Sequence, residues 1–493
     1  MKKINVQGAG WDSMFLVFGK VLTLLFTIIS SKMMAEGLSL TEYGTYSQVN
    51  LVTTVGVSVI ALGLVDVLNY YFSAKRADID EQLRYRIINT VFFLEILAGV
   101  LLAVVILLGE NAFADYFGNS AVIALLPVAA FLPVFNNLLY FYQVLCVASG
   151  KAKQTSVYGL IMTVVRIITI YFAVYVLKNL LVIYVVLVLQ DVVQIVIYHF
   201  TLSKKGVVIN PLKISKKHIK AIFSYGIPMG VYAATNTFSR EIGKIVVGRF
   251  AGTEDLAIYT NCSKLLPVDV IATSFAVVLV PYIIRYVTEK NREQSLSLFS
   301  NYLKVGYYSV WILGAMLLIT PQTVVSFLYD DKYLSGTAIF ILYVFDSMLR
   351  FASMHQIMVA SDKAKLIMLY SAISLGLNAV MSVALYNILG LIGPAVAEII
   401  SALVYTVLML RKSMKLIDAK FCNVFDWKEL LWLAASLVLM WGVCSLAFRG
   451  FVRFGLHPYF AMFVSMAVFG CSVLAIHFRK ISKTLKEINA FKI

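Results

Sequence analysis

Apolar residues run along this chain in blocks of about twenty, the length a helix needs to cross the hydrocarbon core of a bilayer. A window of about 19 residues reads the blocks as membrane spans. They fall at 11–33, 45–70, 88–109, 120–147, 155–177, 180–201, 223–249, 255–284, 301–327, 336–360, 365–388, 391–411, 428–448 and 457–478. The turns between them are short and polar, with no stretch left over for a separate soluble domain. The pattern predicts an all-α integral membrane protein with about 14 transmembrane helices. Met1-Lys2-Lys3 has the charge of a signal-peptide start, but the run behind it lacks a small-x-small cleavage site. It is therefore read as a retained first helix.

Composition sharpens this picture. Hydrophobic residues make up 60% of the 493 positions and charged ones only 14%. A soluble chain is nearer half apolar and a quarter charged. The net charge of +16 would suit nucleic acid if the basic residues clustered on one soluble face. They sit instead in alternate loops. The N-terminus and every second loop hold 29 of them, among them Arg84, Lys151, Lys213, Lys290, Lys363, Lys412 and Lys480, and the opposite loops hold six. Lys and Arg are retained on the cytoplasmic side during insertion. The expected location is thus the bacterial plasma membrane, multi-pass, with both termini cytoplasmic, membrane lipid as the surrounding partner and no role for nucleic acid. Cys146, Cys262, Cys422, Cys444 and Cys471 show no ligand spacing and read as packing residues.

The chain also repeats itself. Val147-Ala148-Ser149-Gly150-Lys151-Ala152-Lys153, with Tyr158 behind it, returns as Val359-Ala360-Ser361-Asp362-Lys363-Ala364-Lys365 with Tyr370, an offset of 212. A weaker echo sets Thr41–Tyr46 against Glu254–Tyr259 at an offset of 213. Each pair occupies matching places in a block of six helices. The expected organisation is two pseudo-symmetric six-helix lobes, 1–205 and 206–415, followed by two further helices and a tail in 416–493. Parallel repeats of this kind hold transporter substrates between their halves.

Three stretches give the sequence its resemblance to a known group. They are Leu38-Ser39-Leu40-Thr41-Glu42-Tyr43-Gly44-Thr45-Tyr46; Ala148-Ser149-Gly150-Lys151-Ala152-Lys153; and Phe223-Ser224-Tyr225-Gly226-Ile227-Pro228 through Val247-Gly248-Arg249-Phe250 to Tyr259. In these, and in helix number, the chain resembles the O-antigen or Wzx-type polysaccharide flippases of the multidrug/oligosaccharidyl-lipid/polysaccharide exporter superfamily. The likeness covers roughly residues 10–410. It implies two six-helix lobes, alternating access and a cationic central cavity for the pyrophosphate of a polyprenyl-linked glycan. It also implies work beside a polysaccharide polymerase and a chain-length regulator.

Charges inside the spans supply the candidate site. Each costs about 2.5–3.5 kcal/mol at mid-bilayer and needs a partner or a task. Asn236, Arg240 and Lys244 are spaced i, i+4, i+8 and share one face of helix 7. Lys20 lies in helix 1, and Asn261 and Lys264 lie in helix 8. These six are the expected anion cradle, Arg binding phosphate bidentately and Lys as a mobile point charge. The alternative is internal pairing. The seven basic residues inside the spans (Lys20, Arg166, Arg240, Lys244, Lys264, Lys304, Arg350) face seven acids (Asp66, Glu95, Asp191, Glu241, Asp269, Asp346, Glu398). Asp346 and Arg350, i and i+4, are expected to pair. Asp66 and Lys304 are expected near cytoplasmic helix ends, in reach of water. Pro228, Pro267 and Pro394 read as kinks or hinges in helices 7, 8 and 12. Tyr140-Phe141-Tyr142 reads as an interfacial belt rather than a sugar-stacking platform.

No Walker-type phosphate loop, H-E-x-x-H or Cys/His cluster occurs in the sequence, so no catalytic residue, metal or cofactor is expected. A flippase for a lipid-linked oligosaccharide is the leading function. A cation-coupled drug or metabolite antiporter of the same superfamily is the alternative, with Asp191 and Glu398 as its acids. A membrane polymerase or glycosyltransferase would need a large catalytic loop, and none is present.

Overall fold

The computed structural model describes residues 22–23, 25–61, 63–65, 67–68, 81–204, 207, 209–210, 213–264 and 270–490. Among them the only regular structure is helix. The chain is an all-α integral membrane protein. Residues 25–37 form α1. The next helices are α2 (Leu40–Ile60), α3 (Glu81–Leu108), α4 (Glu110–Phe117), α5 (Ala121–Ala129), α6 (Leu132–Ala148), α7 (Ala152–Tyr171), α8 (Leu180–Ser203) and α9 (Lys216–Phe250). Then come α10 (Thr253–Cys262), α11 (Val270–Thr288), α12 (Arg292–Leu317), α13 (Pro321–Tyr329), α14 (Thr337–Leu349) and α15 (Gln356–Ala360). The last four are α16 (Ala364–Leu389), α17 (Gly393–Leu416), α18 (Trp427–Arg453) and α19 (Pro458–Ala490).

These helices occupy the expected apolar blocks, but several blocks are broken rather than continuous. Seven helical runs among the described residues are long and apolar enough to cross a membrane, or eight if the bent pair α12 and α13 is one span. That pair turns by 85°, where Pro321 opens a new helix inside what reads as one apolar run. The block at 255–284 divides into α10 and α11, and the block at 336–360 into α14 and α15. Pro228 lies inside α9. Pro394 is a correction: it sits in the first turn of α17, where no intrahelical bond is lost, so it starts that helix rather than kinking it. Pro267 and Asp66 lie outside the described residues.

The 212-residue repeat is a repeat of hydrogen bonds. Helix α6 ends with Ser149 N–H donating to Leu145 O, Gly150 to Val147 O and Lys151 to Cys146 O, at 2.9, 3.0 and 2.9 Å. Helix α15 ends with Ser361, Asp362 and Lys363 donating to Ile357, Val359 and Met358, at 3.0, 3.2 and 2.9 Å. Both are left-handed stops in which the amide three residues past the helix reaches back over a full turn. Gly150 has φ +75° and Asp362 φ +56°. The offset recurs at α4 and α13, which are followed by Gly118 at φ +61° and Asp330 at φ +106°. A side chain at the left-handed position costs roughly 1 kcal/mol. Asp362→Gly is therefore expected to stabilise the protein by up to about 1 kcal/mol, and Gly150→Ala to destabilise it by about as much. Thermal unfolding in detergent reads both; equal shifts of one sign would contradict the equivalence of the two turns.

The chain packs as two compact units, Met1–Ala257 and Ile258–Ile493. In the first, α6 packs against α3 and α8, and α2 against α9. Its core holds Leu64, Val91, Phe141, Tyr142, Tyr198 and Ile222. This corrects the interfacial-belt reading of Tyr140-Phe141-Tyr142. Phe141 and Tyr142 are core residues, and Tyr142 Oη lies 3.1 Å from His199 Nδ1; only Tyr140 is exposed. In the second unit α16 packs on α17, α14 on α17, and α12 on α11 and α19.

Candidate functional site

The local geometry of the family-like stretches is structural. Ser39 opens α2 with a reciprocal cap: Glu42 N donates to Ser39 Oγ at 3.2 Å, and Ser39 N donates to Glu42 Oε2 at 2.8 Å. Thr41 Oγ1 donates to Glu254 Oε1 at 2.8 Å, and Gln48 Nε2 to Thr253 Oγ1 at 3.2 Å. Gly44 lies so close to Thr253 that a Cβ there would overlap its carbonyl. Arg249, at the end of α9, donates from Nη1 to Asp115 O and Tyr116 O at 3.2 and 3.0 Å. A cation there meets the negative end of α4, and it also lies 5.5 Å from the Tyr116 ring centre. Gly248 packs its backbone on Phe117. Arg249 reads in sequence as one more loop cation because its partners are carbonyls, which every residue carries.

Of the expected cradle residues, Lys20 lies outside the described residues. The helix α9 presents Asn236 half-buried and Arg240 exposed. Arg240 has no carboxylate partner among the described residues. Lys244, one turn on, is held: its Nζ is 2.9 Å from Glu241 Oε2, with both side chains mostly buried. These three share a helix, but no hydrogen bond links Asn236, Arg240 and Lys244 among the described residues. The structure does bring Asn261 and Lys264 together, Lys264 Nζ donating to Asn261 Oδ1 at 2.9 Å. Lys264 also stands 6.0 Å from the Tyr329 ring centre. Asn261 is fully buried, and its Nδ2 has no partner among the described residues.

The remaining intramembrane charges form networks that sequence shows only in part. Asp346 and Arg350 pair as their spacing predicts, at 3.0 Å. Arg350 Nη2 also binds Glu398, 48 residues further on, and Asn378 Nδ2 donates to the same carboxylate. Ser382 Oγ donates to Asn378 Oδ1 at 3.0 Å. Asp346 and Glu398 are 2% and 3% exposed, so one guanidinium serves two buried carboxylates. Lys304, partly exposed, lies 3.1 Å from the buried Glu429 in the first turn of α18. Tyr308 Oη donates to that carboxylate at 2.7 Å, and His477 bridges Tyr308 to Ser436. This network fastens α18 and α19 to α12. Glu95 is fully buried on α3, and neither of its oxygens has a partner among the described residues. Asp269 lies outside the described residues. No group of His, Cys, Asp and Glu suited to a metal ion occurs among the described residues.

Long apolar helices, an internal repeat and charge networks buried between helices are those of a multi-pass membrane protein. The chain belongs to the polysaccharide biosynthesis protein family, whose model matches residues 33–338. Among solved structures it is similar to the lipid II flippase MurJ in an inward closed conformation, with a TM-score of 0.73 at 13% identity, covering 95% of this chain and 99% of that one. It is also similar to an inward-facing multidrug resistance MATE family transporter of the MOP superfamily. There the TM-score is 0.63 at 14% identity, over 80% of this chain and 95% of the other. A MOP superfamily transporter from Pyrococcus furiosus, described by the reverse polarity of its binding pocket, gives 0.56 at 14%, over 82% and 95%. No curated protein matches the sequence. At such identities the likenesses establish the fold. The fold is the one these membrane proteins share.

Proposed function

We propose that this protein is a flippase that carries a polyprenyl-pyrophosphate-linked oligosaccharide, the repeat unit of a surface polysaccharide such as O antigen, from the cytoplasmic to the outer leaflet. The observation that carries the reading is Arg240, an exposed guanidinium on α9 within the apolar block 223–249. Lys244, Lys304 and Arg350 are each held by carboxylates. An unpaired guanidinium against lipid is costly, about 2.5–3.5 kcal/mol on insertion scales, so its setting is a water-filled cavity. There it meets the pyrophosphate with two parallel hydrogen bonds. Asn236 adds a polar neighbour on the same face, and Lys20, Lys244, Lys264 and Asn261 complete the cradle. Lys244 and Lys264 would exchange their present partners for phosphate as substrate enters.

Both termini are assigned to the cytoplasm of a bacterium, on the bias of 29 basic residues against six. An inside-negative potential then drives the anion outward by about 2.3 kcal/mol per charge per 100 mV. A polymerase and a chain-length regulator are the proposed partners on the far side. The antiporter reading loses ground because Glu398, one of its two acids, is bound to Arg350 and Asn378. The test is reconstitution in liposomes loaded with a polyprenyl-pyrophosphate-linked oligosaccharide, scored by exposure of its sugars to an impermeant lectin. The expected result is exposure that rises with an imposed potential. Equal exposure in protein-free liposomes would sink the proposal.

A further inference from the structure

A cavity of about 970 Å³ lies wholly within the second unit, where α12, α13, α14 and α18 meet. Its walls are apolar, with Trp311, Phe345, Met348, Leu437 and Val438 prominent among them. One end is different. Thr320, Gln322 and Thr323 line it from the start of α13, and Arg449 lines it from α18.

That polar end carries the Arg449 guanidinium and the first amides of α13. Two carbonyls at the α12–α13 elbow are already taken, Leu318 O by Trp441 Nε1 at 2.7 Å and Ile319 O by Ser445 Oγ at 3.2 Å. The nine-residue helix α13 receives no side-chain cap from Thr320, which leaves the amides of Gln322 and Thr323 without an intrahelical acceptor. Thr320 is 6% exposed, and its Oγ1 is buried with no partner among the described residues. Arg449 is exposed and enters no ion pair among the described residues.

We propose that this cavity binds an anionic glycerophospholipid, its phosphodiester at the α13 N-terminus and Arg449 and its acyl chains along the apolar walls. A helix N-terminus is a ready site for phosphate, and a guanidinium strengthens it. The cavity is at the upper end of the range that encloses small molecules, about 300–1,000 Å³. Charge selects the occupant. One guanidinium and a helix end of about half a unit charge match the single negative charge of a phosphodiester. A pyrophosphate diester carries two, so this site is distinct in chemistry from the proposed transport cradle and does not depend on it. Seated there, the lipid bridges α13 to α18 and braces the elbow.

The test is native mass spectrometry of the purified full-length protein with phosphatidylglycerol, phosphatidylethanolamine or undecaprenyl phosphate added in turn. Phosphatidylglycerol is expected to bind about tenfold tighter than the zwitterionic lipid. Arg449→Gln should weaken it about tenfold without moving the melting temperature of the lipid-free protein. Val438→Trp, which narrows the cavity, should weaken retention of both phospholipids. Equal binding of the two phospholipids, unchanged binding by both variants, or preference for undecaprenyl phosphate would each overturn the assignment.

Discussion

Arg350→Ala should unfold the second unit well below the melting temperature of the parent, a loss of about 3–5 kcal/mol. The side chain is the one cation between Asp346 and Glu398, both buried. Its removal leaves two buried carboxylates without their guanidinium, Asn378 still donating to Glu398. Desolvation makes the intact cluster a weak source of stability but makes breaking it costly. The asymmetry gives a second arm to the experiment. Replacing Asp346, Arg350 and Glu398 together with apolar residues of similar size should restore most of the loss. Thermal unfolding in detergent, followed by intrinsic fluorescence, decides it. An Arg350→Ala protein that melts with the parent would show that the cluster is not the joint between α14 and α17.

Arg240→Ala should do the reverse, removing transport and sparing the fold. The guanidinium is exposed and unpaired among the described residues, so no buried carboxylate is orphaned by its loss. A charge-assisted hydrogen bond to phosphate is worth about 1.5–3 kcal/mol, which sets the expected fall in flipping at roughly 10- to 100-fold. Arg240→Lys should recover part of the activity, since a point charge replaces a bidentate fork. Lys244→Ala should cost less, because Glu241 already holds that ammonium. The assay is lectin exposure in liposomes, with protein quantity and melting temperature measured beside it. Full activity in the Arg240→Ala, Lys244→Ala double variant would remove helix α9 from the site.

Membrane class and the repeat were legible because both are local. Twenty apolar residues need no partner to reveal a span, and the turns at Gly150 and Asp362 are closed by hydrogen bonds within six residues. The pairing of Asp346 with Arg350 was legible for the same reason, one helical turn apart. Its third member, Glu398, was not, since it arrives from another helix 48 residues on. Lys304 and Glu429 are 125 residues apart, and nothing in either neighbourhood points to the other. The burial of Phe141 and Tyr142 was misread because an aromatic run has the same composition at an interface and in a core. The elbow at Leu318–Thr320 was hidden because a window of about 19 residues averages over the short polar break Thr320-Pro321-Gln322-Thr323. Arg240 stands out in sequence by its i, i+4, i+8 spacing with Asn236 and Lys244. Its exposure and its lack of a carboxylate partner among the described residues are tertiary facts.

The proposed activity is movement of a lipid-linked glycan between leaflets. Its most direct measurement is the sidedness of polyprenyl-pyrophosphate-linked oligosaccharide in cells with the protein, without it, and with Arg240→Ala in its place. Accumulation on the cytoplasmic leaflet is expected in the second and third strains alike, with the variant protein present at normal level. Unchanged sidedness in the strain lacking the protein, together with heightened sensitivity to cationic drugs, would contradict it and make Asp191 the residue to examine next.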